Sequence, residues 1–233
     1  MNVNGIQLEV RHIPHDCLDK LLINSVIWRK DDIGAFGSVG DGPLRDLCAI
    51  VPEIDKLIPQ RSIAVQAGGN CGLYAKQYSM MFSEVYSFEP DFNNFMLLAL
   101  NAPENCFIFK AALDKQITKV LLDRQGTEQN CGAIKAVGWQ RNNDANLYAM
   151  TVDQLKLPKC SLIHFDLEGF ERFAIKGADK TIVMYKPVVI LEDIGNHAIK
   201  YMQARHNYRI YKRVHADTIL LPPTHENYND CQA

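Results

Sequence analysis

The sequence lacks the features that mark several common classes of protein. No apolar run approaches the roughly 20 residues of a membrane-spanning helix, and the first residues contain no basic segment followed by an apolar stretch. The 233 residues carry a formal net charge of only −2, so no basic excess points to nucleic acid. Repeats and low-complexity tracts are absent. We therefore predict a protein with no membrane partner and no nucleic-acid partner.

The cysteine and histidine patterns of metal sites are also lacking. Seven cysteines are scattered through the chain, and none belongs to a C-x-x-C pair. An odd, unpatterned set argues against a disulfide framework and against a zinc site. His12 and His15 are spaced H-x-x-H, but no cysteine or carboxylate completes a zinc pattern. We expect a reduced, cytoplasmic protein without zinc.

The sequence does contain enough apolar residues, 47% of the total, for one sizeable core. We predict an N-terminal extension (1–60), an α/β domain (61–222) and a tail (223–233). In the extension we expect a strand at 6–10, a helix at 17–28, a glycine-rich loop at 31–43 as a candidate substrate lid, and a helix at 43–57. The last helix should bury one face, made of Leu44, Leu47, Cys48, Val51 and Ile54.

Strands and helices alternate regularly in the α/β domain. Strands are predicted at 62–66, 84–89, 106–112, 161–166 and 188–192, and the helices between and after them at about 71–83, 91–101, from 170 onward and at 196–206. The helix at 91–101 should bury Phe92, Phe95, Met96 and Ala99. The stretch 115–150 breaks the rhythm and holds a short strand at 119–122, and a helical turn follows at 152–155. The pattern predicts a doubly wound, mostly parallel α/β sheet, closed by a C-terminal antiparallel strand pair at 208–213 and 218–221.

A glycine loop between the first strand and its helix is the most informative motif. Gly68, Gly69 and Gly72 would let a ligand approach the backbone, next to the free N–H groups of a helix start. Glu89 follows the second strand, 21 residues after Gly68, where an acidic side chain can accept both hydroxyls of a ribose. The loop is shorter than the dinucleotide fingerprint G-x-G-x-x-G and suits S-adenosylmethionine better. A tight structural turn is the alternative interpretation of the loop alone.

Polar residues follow several of the predicted strands. The residues at or just past such ends are Gln66, Glu89, Asp114, Asp166 and Glu192. In an open α/β sheet, ligands bind beyond the carboxyl ends of the parallel strands. We therefore expect these side chains to meet in one active site.

Seven short motifs in a fixed order resemble the FkbM-type S-adenosylmethionine-dependent methyltransferases. The resemblance covers about residues 60–222. It is carried by VQAGGNCG (65–72), YSFEP (86–90), AALD (111–114), TVDQL (151–155), HFDLEGFE (164–171), KGA (176–178) and PVVILE (187–192). The combination of Phe-Glu-Pro with Asp-Leu-Glu-Gly-Phe-Glu is the specific part.

The resemblance implies a class I, Rossmann-like methyltransferase fold and assigns a cofactor site. Glu89, followed by Pro90, would bind the ribose of S-adenosylmethionine, and Asp114 would lie near the adenine edge. Where this chain has Gln66, the family usually has an acidic residue. The methionine portion would be lined by Gly68, Gly69, Asn70 and Gly72.

Candidate catalytic residues lie at the ends of the fourth and fifth strands. Asp166 and Glu168 would orient or deprotonate an acceptor hydroxyl, and a divalent cation held by them stays an open alternative. We expect Glu192 or Asp193 to face the acceptor. We also retain His197 as a candidate for substrate contact.

Other polar residues of this region have structural interpretations. We expect Glu171 to complement a helix N-terminus, Asn196 to be a helix cap, and His164 to be a packed histidine.

Three functions remain open at this point. The first is an O-methyltransferase for a hydroxyl of a sugar, glycan or related small metabolite, a substrate class that comes from the resemblance. The second is a non-catalytic cofactor-binding or scaffolding protein on the same fold, which Gln66 favours. The third is a nicotinamide-dependent oxidoreductase, against which the short glycine loop argues. The oligomeric state has no signature in the sequence.

Overall fold

The computed structural model describes residues 2–3, 6–12, 25–30, 42–123, 134–138, 147–193 and 195–231. The strands in chain order are β1 Asn2–Val3, β2 Ile6–His12, β3 Ser25–Arg29, β4 Ile63–Ala67, β5 Glu84–Phe88, β6 Cys106–Phe109, β7 Ala112–Leu113, β8 Thr118–Asp123, β9 Lys135–Gly138, β10 Leu147–Met150, β11 Leu162–Asp166, β12 Val188–Glu192, β13 Arg209–Val214 and β14 Asp217–Leu221. The helices are α1 Gly42–Leu57, α2 Leu73–Ser79, α3 Phe92–Asn101, α4 Glu171–Lys176, α5 Asp179–Tyr185 and α6 His197–His206. Short 3₁₀ turns span Val152–Leu155 and Glu226–Asp230.

A seven-stranded sheet in the order β13-β14-β12-β11-β4-β5-β6 forms the centre of the molecule. Strands β4, β5, β6, β11 and β12 are parallel, and β14 runs antiparallel to both β12 and β13. The predicted doubly wound, mostly parallel sheet with a C-terminal antiparallel pair is thus confirmed. The strand order reverses between β4 and β11, which makes the carboxyl ends of these two strands the expected ligand site.

The register of three neighbouring strands aligns three carboxyl residues in one row. Asp166 in β11 is the partner of Glu192 in β12, and Glu192 is the partner of Asp217 in β14. Paired residues of adjacent strands project from the same face of a sheet. His164 precedes Asp166 by two residues and therefore lies on that face as well.

Each face of the sheet is covered by its own layer. Helices α1 and α2 and the β2–β3 hairpin pack on one face, and α4, α5 and α6 contribute to the core on the other. Helix α1 buries the predicted apolar face, with Leu47 fully enclosed. Among the described residues, no helix has the length and apolar character needed to cross a bilayer.

One helix of the N-terminal extension was predicted wrongly. Residues 25–28, expected to end a helix, belong to β3, which pairs antiparallel with β2. Val26 and Trp28 are buried and alternate with half-buried neighbours, which is the period of two of a strand. The rest of the predicted helix and nearly all of the glycine-rich loop lie outside the described residues.

The buried face of α3 also differs from the prediction. Phe92 is 48% exposed and Ala99 is exposed, whereas Asn94, Leu97, Leu98 and Asn101 are buried. Asn101 explains the rotation, because its side-chain amide exchanges two hydrogen bonds of 2.8 Å with the backbone of Ile27 in β3. A buried asparagine that holds another element in place is invisible to a pattern based on hydrophobicity.

A second sheet, β7-β10-β8-β9, occupies the region that breaks the strand–helix rhythm. The strand predicted at 119–122 is part of β8. The strand predicted at 106–112 is divided, because β6 ends at Phe109 and Ala112 begins β7, which pairs with β10 in the second sheet. The sequence did not predict this sheet as a unit.

Candidate active site

A cleft lies at the carboxyl edge of the main sheet and consists of two adjoining cavities of about 60 and 230 Å³. Both are lined by Gly68, Asn70, Asp166 and Glu168, so they are parts of one cleft, here called the small lobe and the large lobe. The small lobe is further lined by Phe88, Glu89, Pro90, Asn94, Ala111, Ala112, Leu113, Ile134, Ala136, Leu167 and Phe170. The large lobe is further lined by Trp28, Gly42, Pro43, Asp46, Gly69, Cys71, Leu73, Tyr74, His164, Glu192 and Asp217.

The glycine loop after β4 is pinned between two strands. The backbone N–H groups of Gly68 and Gly69 both donate to the carbonyl of Phe88 in β5, at 3.2 and 2.9 Å. Gly68 has a φ of 84°, and a Cβ at that position would lie 2.0 Å from the carbonyl oxygen of Asp166. Only glycine fits so close to β11. Gly72, with a φ of 90°, precedes α2 and packs on Leu98, away from both lobes.

Glu89 joins this loop to the small lobe. Its side chain is buried, with Oε2 accepting from the N–H of Asn70 at 2.7 Å and Oε1 accepting from the N–H of Asp91 at 2.8 Å. Burial raises the pKa of Glu89 to about 7 because the ionised form loses its hydration. The carboxyl group thus fixes the loop and also lines the cavity.

Gln66 has an internal role that its sequence position did not reveal. Its Nε2 donates to the carbonyl of Gly68 at 2.9 Å, and its Oε1 accepts from the hydroxyl of Ser87 at 2.6 Å. The side chain is buried and lines neither lobe. The side chain of Gln66 therefore stabilises the glycine loop from the protein interior and does not face the cleft.

Asp166 and Glu192 form a carboxyl pair at the floor of the large lobe. Burial, reinforced by the charge of Glu192, raises the pKa of Asp166 well above its usual range, and a hydrogen bond joins the two side chains. Burial raises the pKa of Glu192 as well. Two neighbouring carboxyl groups in a buried place disfavour the state in which both are ionised.

His164, Tyr78 and Asp217 lie beside this pair. His164 is 2% exposed, as expected for a packed histidine. Its Nδ1 lies 2.7 Å from the hydroxyl of Tyr78 and its Nε2 lies 3.3 Å from Oδ1 of Asp217. Sequence analysis missed Asp217 because nothing in its neighbourhood shows that the last strand is inserted next to β12.

Glu168 and Glu171 occupy the turn between β11 and α4. Glu168 has a φ of 54° and lines both lobes. Glu171 is 1% exposed, and its Oε1 accepts from the N–H groups of Leu167 and Gly169 at 2.8 and 3.1 Å. Glu171 also bonds its own backbone N–H in the first turn of α4, which agrees with the structural role predicted for it.

Two candidates from the sequence lie apart from the cleft. Asp114 is buried and accepts from the N–H of Lys115 at 2.5 Å, and the small lobe next to it is lined by residues 111–113 instead. His197 is exposed at the start of α6, beside Gly195, and lines neither lobe.

The cap of α6 differs from the prediction. Asn196 has a φ of 53° and its side chain makes no capping hydrogen bond. Oδ2 of Asp193 instead accepts from the N–H groups of Ala198 and Ile199, at 2.6 and 3.0 Å. Asp193 is therefore a capping residue. Of the two residues expected from the sequence to face the acceptor, Glu192 is the one that lines the cleft.

No group of three or more His, Cys, Asp or Glu side chains within the described ranges has the geometry of a metal site.

Comparison with known proteins gives relatives by structure only. No protein-family model and no curated protein matches the chain. Similar solved structures include a methyltransferase FkbM from Methylobacillus flagellatus KT (15% identity, 88% of this chain and 56% of that chain, TM-score 0.48). They also include the C-terminal domain of precorrin-6Y C5,15-methyltransferase from Rhodobacter capsulatus (9% identity, 80% of this chain and 90% of that chain, TM-score 0.42). A fibrillarin/Nop5p complex is a third (13% identity, 68% of this chain and 70% of that chain, TM-score 0.36).

The first of these structures belongs to the family that the sequence motifs resemble, and this chain spans little more than half of its length. At such identities the likeness concerns the fold alone. The strand order and the reversed β14 make this a Rossmann-like fold.

Proposed function

We propose that the protein is an S-adenosylmethionine-dependent methyltransferase that methylates a hydroxyl of a sugar, glycan or related small metabolite. The observation that carries the proposal is the position of the cleft. It lies at the point where the strand order reverses, with the glycine loop and Glu89 on one side and a row of carboxyl groups on the other.

The residues of the small lobe fit the cofactor. Glu89 presents a carboxyl group to the cavity from the end of the second parallel strand, where it can accept from the two ribose hydroxyls. The backbone at Gly68 has no room for any side chain, so a ligand meets bare peptide there. Phe88, Leu113 and Phe170 offer an apolar surface for a flat ring. S-adenosylmethionine, when bound, supplies an electrophilic methyl group on a positively charged sulfur.

The large lobe supplies what the acceptor needs. Carboxyl groups from four elements line it, those of Asp46, Asp166, Glu192 and Asp217, and a charged sulfonium nearby would be stabilised by them. They can also hold an acceptor hydroxyl by accepting its hydrogen bond. Positioning of the acceptor oxygen on the axis opposite the sulfur is the main contribution of such a site to the rate.

The two rival functions receive less support from the cleft. The non-catalytic alternative drew on Gln66, but this side chain serves the loop and does not line the cavities, so its identity does not remove a ligand group. The oxidoreductase alternative requires room for a pyrophosphate at the loop. Here the carboxyl group of Glu89 already accepts from the N–H of Asn70, where a pyrophosphate would need free donors.

The proposal is tested by methyl transfer from labelled S-adenosylmethionine across a panel of sugars, lipopolysaccharide fragments and phenols. Calorimetric titration with S-adenosylhomocysteine and, separately, with NAD accompanies the assay. We expect binding of S-adenosylhomocysteine, no binding of NAD, and labelled product with at least one hydroxyl acceptor. Binding without transfer to any acceptor would favour the non-catalytic alternative, and binding of NAD alone would favour the oxidoreductase.

A further inference from the structure

A chain of hydrogen bonds runs from the core to the wall of the large lobe. It starts at the hydroxyl of Tyr78, passes through the imidazole of His164 and ends at the carboxyl group of Asp217, with heavy-atom distances of 2.7 and 3.3 Å. The three residues are 0%, 2% and 4% exposed, and both His164 and Asp217 line the lobe. Burying a polar imidazole in a strand is costly unless both nitrogens have partners, and here both do.

The topology brings these residues together from distant parts of the sequence. His164 and Asp217 are 53 positions apart. They meet because β14 is inserted beside β12, which places Asp217 next to Glu192 and one strand further from Asp166. The ring of Tyr74 packs edge-on against His164 at a centroid distance of 4.9 Å and limits its rotation.

The hydrogen-bond partners of His164 favour one of its two neutral tautomers. Burial raises the pKa of Tyr78 well above its usual range, so its hydroxyl keeps its proton and can donate it to Nδ1. A neutral imidazole that accepts at Nδ1 carries its hydrogen on Nε2. The Nε2–H group then faces Oδ1 of Asp217 and donates to it.

Asp217 differs in this respect from the other two carboxyl groups of the row. Asp166 and Glu192 are paired with each other on neighbouring strands. Asp217 lies 3.3 Å from Nε2 of His164, and this contact holds its carboxyl group in one orientation at the wall of the large lobe. An oriented carboxylate at the edge of a cavity meets the geometric requirement for a general base.

We propose that Asp217 contacts the acceptor and takes up its hydroxyl proton, and that His164 and Tyr78 are positioning residues that hold this carboxylate toward the large lobe. This inference rests on the proposed function. The acceptor O–H bond breaks and its proton goes to Asp217. The freed electron pair on oxygen forms the bond to the methyl carbon, and the pair of the broken carbon–sulfur bond stays on sulfur. One negative and one positive charge disappear together, so no further reactant is required.

The first test compares Asp217→Asn, His164→Gln and His164→Phe with a matched control outside the cleft. Asp179→Asn is the control. Nε2 of His206 lies 2.7 Å from Oδ1 of Asp179, and the hydroxyl of Tyr201 donates to the same oxygen, so a histidine and an aspartate form a similar pair there. Neither His206 nor Asp179 lines either lobe. Rates are measured with labelled S-adenosylmethionine and the best acceptor of the panel. Affinity is measured with S-adenosylhomocysteine.

We expect Asp217→Asn to lower kcat on the order of a hundredfold, the scale of a positioned acid–base group, with S-adenosylhomocysteine affinity changed less than about twofold. His164→Gln keeps a donor near the position of Nε2 and should retain most of the activity. His164→Phe fills the space without a donor and should fall toward Asp217→Asn. A purely structural role would make the glutamine and phenylalanine variants equally active per folded molecule, which would overturn the inference.

The second test does not depend on turnover. Heteronuclear NMR of isotope-labelled histidine reports which nitrogen of His164 carries hydrogen, and we expect Nε2 in the wild type and a shifted Nε2–H resonance in Asp217→Asn. Hydrogen on Nδ1 in the wild type would overturn the inference. If the wild type neither binds S-adenosylhomocysteine nor transfers methyl groups, the proposed function fails first. If it does both and Asp217→Asn is as active as the control, only the role of Asp217 fails.

Discussion

The small lobe and the large lobe of the cleft are built in different ways. In the small lobe, Asn70 and Glu89 come from short segments at the ends of β4 and β5 that hydrogen bonds hold together, while Asp166 and Glu168 are shared with the large lobe. The large lobe collects side chains from β3, α1, α2, β11, β12 and β14, which are distant in sequence. A motif can therefore predict Asn70 and Glu89, whereas the order of the strands is needed to bring Asp217 into the large lobe.

The largest effect is expected from a substitution of Gly68, where the glycine loop lies against the backbone of β11. Gly68→Ala would place a Cβ 2.0 Å from the carbonyl oxygen of Asp166 in a backbone with a φ of 84°. We expect a loss of about 3 kcal/mol or more in the free energy of unfolding, since neither backbone can yield easily. Urea denaturation measures it.

Gly169→Ala is the matched control for this change. Gly169 also has a positive φ, 100°, but open space surrounds the position of its missing Cβ. Backbone strain alone should cost about 1–2 kcal/mol. Equal losses in the two variants would show that the contact with β11 is unimportant.

A second prediction concerns the pH dependence of stability through Glu89. Its pKa is about 7 in the folded protein against an ordinary value of 4.5. The folded state therefore binds the proton more tightly, and the associated stability is present below pH 4.5 and lost as the pH rises to about 7. At about 1.36 kcal/mol per pKa unit the loss amounts to about 3 kcal/mol.

Glu89→Gln should remove this pH dependence. Denaturation curves of the wild type and the variant at pH 5, 6 and 7 test the point. Glu84→Gln is the control, because Glu84 accepts from the hydroxyl of Tyr86 at the far end of β5 and does not line the cleft. A wild-type stability that is flat over this range, or that rises with pH to the same extent in all three proteins, would contradict the assignment.

The third prediction distinguishes the two members of the carboxyl pair in the large lobe. The sequence favours Asp166 as the reactive group, but in the structure Asp166 is paired with Glu192 in a buried position. Asn at 166 can still donate to Glu192, so Asp166→Asn should lower kcat by no more than about threefold. Glu192→Gln removes a carboxyl group from the lining of the large lobe and should lower kcat about tenfold. Steady-state kinetics measure both, and the reverse ranking would restore Asp166 as the principal residue.

The smallest effect is expected at Gln66, beneath the glycine loop. Gln66→Asp removes the donor to the carbonyl of Gly68 and shortens the side chain. The free energy of unfolding should fall by about 1–2 kcal/mol, with S-adenosylhomocysteine affinity changed less than about threefold because the residue does not line the cleft. Thermal denaturation and calorimetry measure these quantities. A large gain in affinity would show that the position faces the ligand after all.

The sequence predicted the parallel strands of the main sheet to within a few residues, because each is a short apolar run between turn signals. It predicted the glycine loop and Glu89 for the same local reason. It failed where a distant partner decides the structure. Asn101 faces inward because it binds β3, and Asp217 reaches the cleft because β14 is inserted beside β12. The hydrophobic pattern of the sequence predicts neither of these contacts.

The central claim is that Glu89 and the glycine loop hold S-adenosylmethionine at the carboxyl edge of the sheet. Its most direct test is calorimetric titration of the wild type, Glu89→Gln and Glu84→Gln with S-adenosylhomocysteine at pH 8. We expect binding by the wild type and by Glu84→Gln, and an affinity at least about tenfold lower in Glu89→Gln, as expected for charged hydrogen bonds of about 1.5–3 kcal/mol each. Equal affinities in all three folded proteins would contradict it.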